Sequence, residues 1–177
     1  MAKKSAGILV FRLLNNVVEV LLVHPGGPLW ARKDDGSWSI PKKGEYTDDD
    51  DPLNAAVREL SEETGIEADL TQCFTLGEIK QKKGGKVVTS WALETDFDIT
   101  QLKKSNTFQM EWPRNSGVIR DYPEVDRAEW FPITAAKTKL LTAQAPLLDR
   151  LVERLKSSGR GPLLLDASST EGSATLF

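Results

Sequence analysis

The sequence predicts an α/β protein arranged as an α/β/α sandwich. Three observations carry that expectation. Residues 6–14 and 17–23 are two runs rich in branched and aromatic side chains, parted by the turn pair Asn15-Asn16. Residues 52–64 place Leu53, Ala56, Val57 and Leu60 at a spacing of three, four and seven, the apolar stripe of a one-sided helix. A second stripe, Leu147, Leu148, Leu151, Val152 and Leu155, runs through residues 146–156. Two one-sided helices with strands around them each need an apolar face to cover, and a sheet offers two.

Composition narrows the class. At 177 residues and 40% hydrophobic content the chain is long enough to bury one core. A single domain over residues 1–156 is expected, followed by a loose tail over 157–177 that is small and polar with a brief leucine run. No internal repeat is visible. A net charge of −3 with a pI near 5.3 argues against a protein that coats nucleic acid or lies on a membrane. The apolar run near the start, residues 8–11, is too short for a signal or a span. One cysteine, Cys73, forms no intrachain disulfide, which makes a reducing cytoplasm the expected compartment. With no histidine partner in evidence, Cys73 reads as core and not as a nucleophile. Monomer and homodimer are both compatible with this reading.

The remaining elements follow in order. His24-Pro25-Gly26-Gly27-Pro28 ends the second strand in a loop, and the lone His24 reads as structural. Trp30, Arg32 and Lys33 supply an aromatic face and two cations, the chemistry of a base and its phosphates, or an ordinary packed loop. Trp38-Ser39-Ile40 is a short strand stopped by Pro41. Residues 67–80 have strand character, with Gly77 marking a bulge. They are joined through the basic turn 80–86 to a strand over 86–94, as an antiparallel hairpin. Residues 96–106 are irregular and polar. Residues 122–131 lead into short helical turns over 133–141, where Thr134 is a candidate cap.

Residues 52–64 carry the chemistry. Asp51 is a good N-cap, Pro52 suits the first helical position, and Gly65 suits a left-handed C-cap with Ile66 packing back on Leu60. At 100° per residue, Glu62 lies about 60° to one side of Glu59 and Glu63 about 40° to the other. Three carboxylates thus share a face distinct from the apolar stripe, in the last turns of a helix. There the dipole disfavours each anion by about 0.3–1 kcal/mol. A solvated acidic face is one reading. A cation that neutralises the cluster is the other, and oxygen-only ligands suit Mg²⁺ or Mn²⁺.

Gly44, Arg58, Glu59, Leu60, Glu62, Glu63, Gly65 and Ile66 resemble the Nudix box, at eight of its nine fixed positions across 23 residues. The departure is Asp50, where the family has Glu. The overall resemblance, over roughly residues 5–155, is to small bacterial NTP pyrophosphohydrolase-like Nudix proteins. It adds a mixed β-sheet to the sandwich.

The resemblance implies metal-dependent hydrolysis of a pyrophosphate bond in a nucleoside diphosphate linked to another group. A nucleoside triphosphate or dinucleoside polyphosphate is favoured slightly by the basic loops. An ADP-ribose or nucleotide-sugar substrate, or a catalytically weak binding module, is the alternative. Glu59, Glu62 and Glu63 become metal ligands, with Glu59 an optional base, and a carboxylate outside the helix completes the set. Glu111 is the first choice for that role and Glu124 the second. Arg58, off the metal face, clamps the loop through Glu45 or Asp50, and Gly44 lets that loop turn. Lys42, Lys43 and Arg114 join Trp30, Arg32 and Lys33 as candidate substrate contacts.

Overall fold

The computed structural model describes residues 4–41, 46–48, 50–81 and 84–166. A five-stranded sheet runs through its centre in the order β3-β4-β1-β2-β7. The strands are β1 (Lys4–Leu14), β2 (Val17–Pro25), β3 (Phe74–Lys80), β4 (Val87–Glu94) and β7 (Val125–Pro132). β1 is parallel to β4 and antiparallel to β2, so the sheet is mixed, as the family resemblance implies. A separate antiparallel hairpin pairs β5 (Thr107–Glu111) with β6 (Ile119–Pro123).

Alternation along the strands sorts the core into two layers. Ala6, Ile8 and Val10 of β1 face helix α1 (Pro52–Thr64), meeting Ala56 and Leu60. Leu9 and Phe11 of β1, with Val18, Val20 and Leu22 of β2, face the other way. There they meet α2 (Ile133–Lys139) and the leucine stripe of α3 (Pro146–Ser157). The sandwich expected from the two apolar stripes is therefore the observed architecture.

Most elements lie where the sequence puts them. The register shift in β3 falls between Thr75 and Gly77, and Gly77 adopts φ 80°, the bulge anticipated there. Arg150 of α3 reaches across this outer strand and donates to the carbonyls of Leu76 and Glu78, at 2.9 and 3.0 Å. Five elements differ from expectation. β2 continues through His24 to Pro25, past the proposed stop, by shifting register against β7. Residues 107–111, 119–123 and 125–132 are strands, where the sequence predicts none and 122–131 is expected to lead into helical turns. Thr134 does not cap α2: the N-cap position is Pro132, and the Thr134 hydroxyl donates to Leu165 O. The first part of the anticipated tail is also docked. Leu163 and Leu165 pack against the α3-side core, and Leu164 exchanges backbone bonds with Asn16 and Val18. Residues 167–177 lie outside the described residues.

Candidate active site

Helix α1 forms as its local signals dictate. Asp51 accepts a bond from the Asn54 N–H at 2.8 Å, and Gly65 closes the helix at φ 81° with its N–H bonded to Ser61 O. Ala55, Ala56 and Leu60 are buried, and Ile66 joins Leu60 in the core beneath. The buried Thr64 hydroxyl bonds back to Leu60 O and receives the Ile66 N–H, which ties the last turn to the chain beyond. Glu59, Glu62 and Glu63 are left half-buried on this anchored rod.

Glu63 lines a narrow cleft of about 170 Å³. Val23 and Pro25 of β2, Ser39, Ile40, Glu124 and Val125 complete its walls. A larger depression of about 550 Å³ opens between β3 and α3, lined by Phe74, Arg154, Leu155, Ser157, Ser158 and Arg160, with no carboxylate among the described residues that line it. Of these two, the smaller cleft is the one that carries carboxylates, Glu63 and Glu124. Among the described residues no group of three or more His, Cys, Asp or Glu side chains is placed to hold an ion on protein ligands alone. Mg²⁺ does not demand such a cage. It usually keeps several waters and takes one or two carboxylates plus substrate phosphates. Glu63 and Glu124 on one otherwise largely apolar cleft fit that donor set.

The sheet fold, the helix and this cleft now meet a family-level observation: the NUDIX domain model matches residues 3–152. The chain belongs to the Nudix family. No curated protein sequence matches it. Solved structures share the Nudix fold at low identity. A C. elegans Ap4A hydrolase binary complex aligns with a TM-score of 0.59 at 22% identity, over 88% of this chain and 99% of that one. The NUDIX domain of Shewanella oneidensis NrtR complexed with ADP ribose gives 0.59 at 16% identity, over 88% and 89%. The longer NrtR chain, complexed with a 27mer DNA, gives 0.54 at 15%, over 87% of this chain and 62% of that one. A MutT/nudix family protein from Enterococcus faecalis gives 0.52 at 16%, and there the match takes in 74% of this chain and only 44% of that one.

The Nudix helix is where the box places it, but the other candidate residues scatter. Glu111 sits on the β5–β6 hairpin, where its carboxylate accepts the Gly117 N–H across the hairpin turn at 2.7 Å. Glu124, at the foot of that hairpin, reaches the cleft. Asp50 accepts from the N–H and hydroxyl of Thr47, both at 3.1 Å, which shapes the turn before the helix. Arg58 is exposed, as are Arg32 and, near the hairpin tip, Arg114. The Lys33 ammonium lies over the Trp30 ring, 4.7 Å from its centroid. Lys42, Lys43, Gly44 and Glu45 lie outside the described residues.

The loop bearing Trp30 is held from beneath. His24 is fully buried, with Nδ1 2.8 Å from Asp126 Oδ1 and Nε2 2.8 Å from Lys33 O. The Lys33 carbonyl can only accept, so Nε2 carries a proton. Asp34 adds a bond from the Trp38 indole at 2.8 Å and an ion pair to Lys139 at 2.5 Å. These two donors hold the Asp34 carboxyl below the usual carboxylate range. Ser39, Pro25 and Val125 were not singled out by the sequence as part of a site. Alternating Phe108, Met110 and Trp112 ahead of the Asn115–Gly117 turn was the available signal for the hairpin that places Glu124.

Proposed function

We propose that this Nudix protein hydrolyses a pyrophosphate bond in a nucleoside diphosphate linked to a further group, with Mg²⁺ or Mn²⁺ as its cofactor. The observation that carries the reading is the meeting of Glu63, from the helix, with Glu124, from outside it, on one cleft. Glu62 and Glu63 hold the ion, Glu59 is a further ligand or the base for the attacking water, and Glu124 takes the outside role in preference to Glu111. A divalent ion bound there neutralises charge that builds on phosphoryl oxygens as the bond breaks. The protein's own part is to hold Glu59, Glu62 and Glu63 on a capped helix with Glu124 at the hairpin foot, and to bring the diphosphate against them. Arg58 and the Gly44, Glu45 and Asp50 loop set the entry to the helix. Trp30 offers a stacking face, with Arg32, Lys33, Lys42, Lys43 and Arg114 as phosphate contacts.

Nucleoside triphosphates and dinucleoside polyphosphates are the first substrates to test, and the shared fold with an Ap4A hydrolase supports the second. ADP-ribose or a nucleotide sugar is the second reading, favoured by the ADP ribose complex of the NrtR domain. A binding module that has lost catalysis is the third. The partner is a small nucleotide in the cytoplasm, bound by a monomer or homodimer. Nucleic acid is not expected, given the net charge of −3. No described helix is long and apolar enough to cross a membrane. Incubation with Mg²⁺ and a panel of these nucleotides, with products resolved by ³¹P NMR after reaction in H₂¹⁸O, tests the reading. Turnover of one class with ¹⁸O in a single phosphate product supports it. Nucleotide binding with no turnover of any of them would leave the binding module.

A further inference from the structure

Gly26 is buried, and its φ lies outside the left-handed region, so its own backbone does not call for glycine. Its neighbour does. A Cβ at Gly26 would stand 2.0 Å from Pro123 O and 3.0 Å from the Pro123 carbonyl carbon. That obstacle is main chain and cannot rotate aside. Pro123 ends the β5–β6 hairpin, and Glu124 follows it. The Gly26 N–H donates to Glu124 O at 3.1 Å, while the Glu124 N–H donates to Asn106 O at 2.8 Å. The backbone of Glu124 is therefore gripped from two sides. Gly27 gives a second point of seating, since a Cβ there would lie 2.9 Å from Phe108 Cζ.

We infer that Gly26 is a positioning residue for Glu124: its missing side chain is the seat on which the hairpin foot rests, and that seat sets Glu124 on the cleft it shares with Glu63. The inference rests on the proposed reading of Glu124 as a metal-binding carboxylate. A glycine that merely allows packing would tune stability and leave ion affinity alone. A glycine that positions Glu124 acts on affinity, and only through that carboxylate.

The test is a double-mutant cycle read by Mn²⁺ binding to the full chain, using electron paramagnetic resonance without substrate. Glu124→Gln alone isolates the underlying reading: affinity equal to the parent's removes Glu124 from the ion site, and the positioning role falls with it. With Glu124→Gln weakened, Gly26→Ala is expected to lose at least tenfold. The double variant is expected to bind within twofold of Glu124→Gln. Parent-like affinity in Gly26→Ala, or losses that multiply in the double variant, overturns the inference while leaving Glu124 as a ligand. Amide exchange provides a readout free of the metal: Glu124 and Gly26 lose protection in Gly26→Ala while β1 and β4 keep theirs. Should Gly26→Ala unfold the whole sheet, Phe108→Ala decides, because it removes atoms at the Gly27 contact and adds none. It is expected to weaken Mn²⁺ binding two- to fivefold in the parent and not at all beside Glu124→Gln. Equal weakening in both backgrounds overturns the inference.

Discussion

Helix α1 and the β5–β6 hairpin bring carboxylates to the same cleft by opposite means. The helix is specified by its own 13 residues and the two that flank them: Asp51, a cap that accepts one orphan N–H, Gly65, a left-handed glycine at its end, and an apolar stripe in which Ala56 and Leu60 are buried. Its glutamates fall beside that stripe, Glu63 only about 20° from Ala56, because the helical period puts them there. The hairpin has little core of its own. The Phe108 and Tyr122 ring centroids lie 6.1 Å apart, while Val118 and Ile119 are exposed. An isolated two-stranded hairpin is marginal in water, so its place depends on what grips its foot, where the Gly26-Gly27 loop acts beside the bonds from Ser105 to Val125 and the start of β7. A carboxylate on a helix is aimed by local geometry. A carboxylate at the foot of a hairpin is aimed by a partner about a hundred residues away in sequence.

Substitutions can break or sharpen that contrast. The largest effect is expected on the helix side: Glu63→Gln should lower kcat by roughly 10²–10³-fold, the equivalent of several kcal/mol of lost charge stabilisation. Steady-state kinetics with circular dichroism as a folding control will check it, and wild-type turnover would remove Glu63 from the site. On the hairpin side, Glu124→Gln should cost about tenfold or more, in line with loss of a metal contact. Glu111→Gln, which only loosens the bond to Gly117, should cost far less; the reverse order would restore Glu111 as the outside ligand. Asp51→Ala removes a cap and should lower stability by about 1 kcal/mol in urea titrations, with turnover per folded molecule unchanged.

The loop that carries Trp30 and Asp34 gives a pH-dependent prediction. Lys139 and Trp38 depress the Asp34 carboxyl in the folded state. A depressed carboxyl contributes stability above its unfolded value, about 3.9, and loses it as pH falls through the lower folded value. Asp34→Asn should therefore bring the urea midpoints at pH 5 and pH 3 closer together than in the parent. An unchanged difference would show that the pair does nothing for the fold. The smallest effect is expected at Cys73. Burial pushes its thiol up, so it should react slowly with iodoacetamide, and Cys73→Ser should change activity by less than a few-fold.

These contrasts also explain what could be read in advance. The bounds of α1 and both of its caps follow from adjacent residues. The same holds for the Gly77 bulge and the α3 stripe. Glu124 could not be separated from Glu111, because no spacing rule says which part of a hairpin reaches a distant cleft. β7 was hidden by its composition: Asp126, Arg127 and Glu129 are exposed and leave only Ala128 buried at its middle, so the alternation of a half-buried strand barely shows. Thr134 looked like a cap because its bond to Leu165 is non-local. The leucines at 163–165 looked loose because the core they join is built from β1, β2 and the late helices.

The guanidinium of Arg150 occupies two outward carbonyls of β3 at one rim of the central sheet. Unprotected rims are where foreign strands add on and where aggregation begins. A strand approaching this rim would first have to displace a charged group already bonded to the acceptors it needs. Self-assembly by sheet extension is thus opposed at β3 by one side chain from α3, and an Arg150→Ala chain would present those acceptors to any extended peptide nearby.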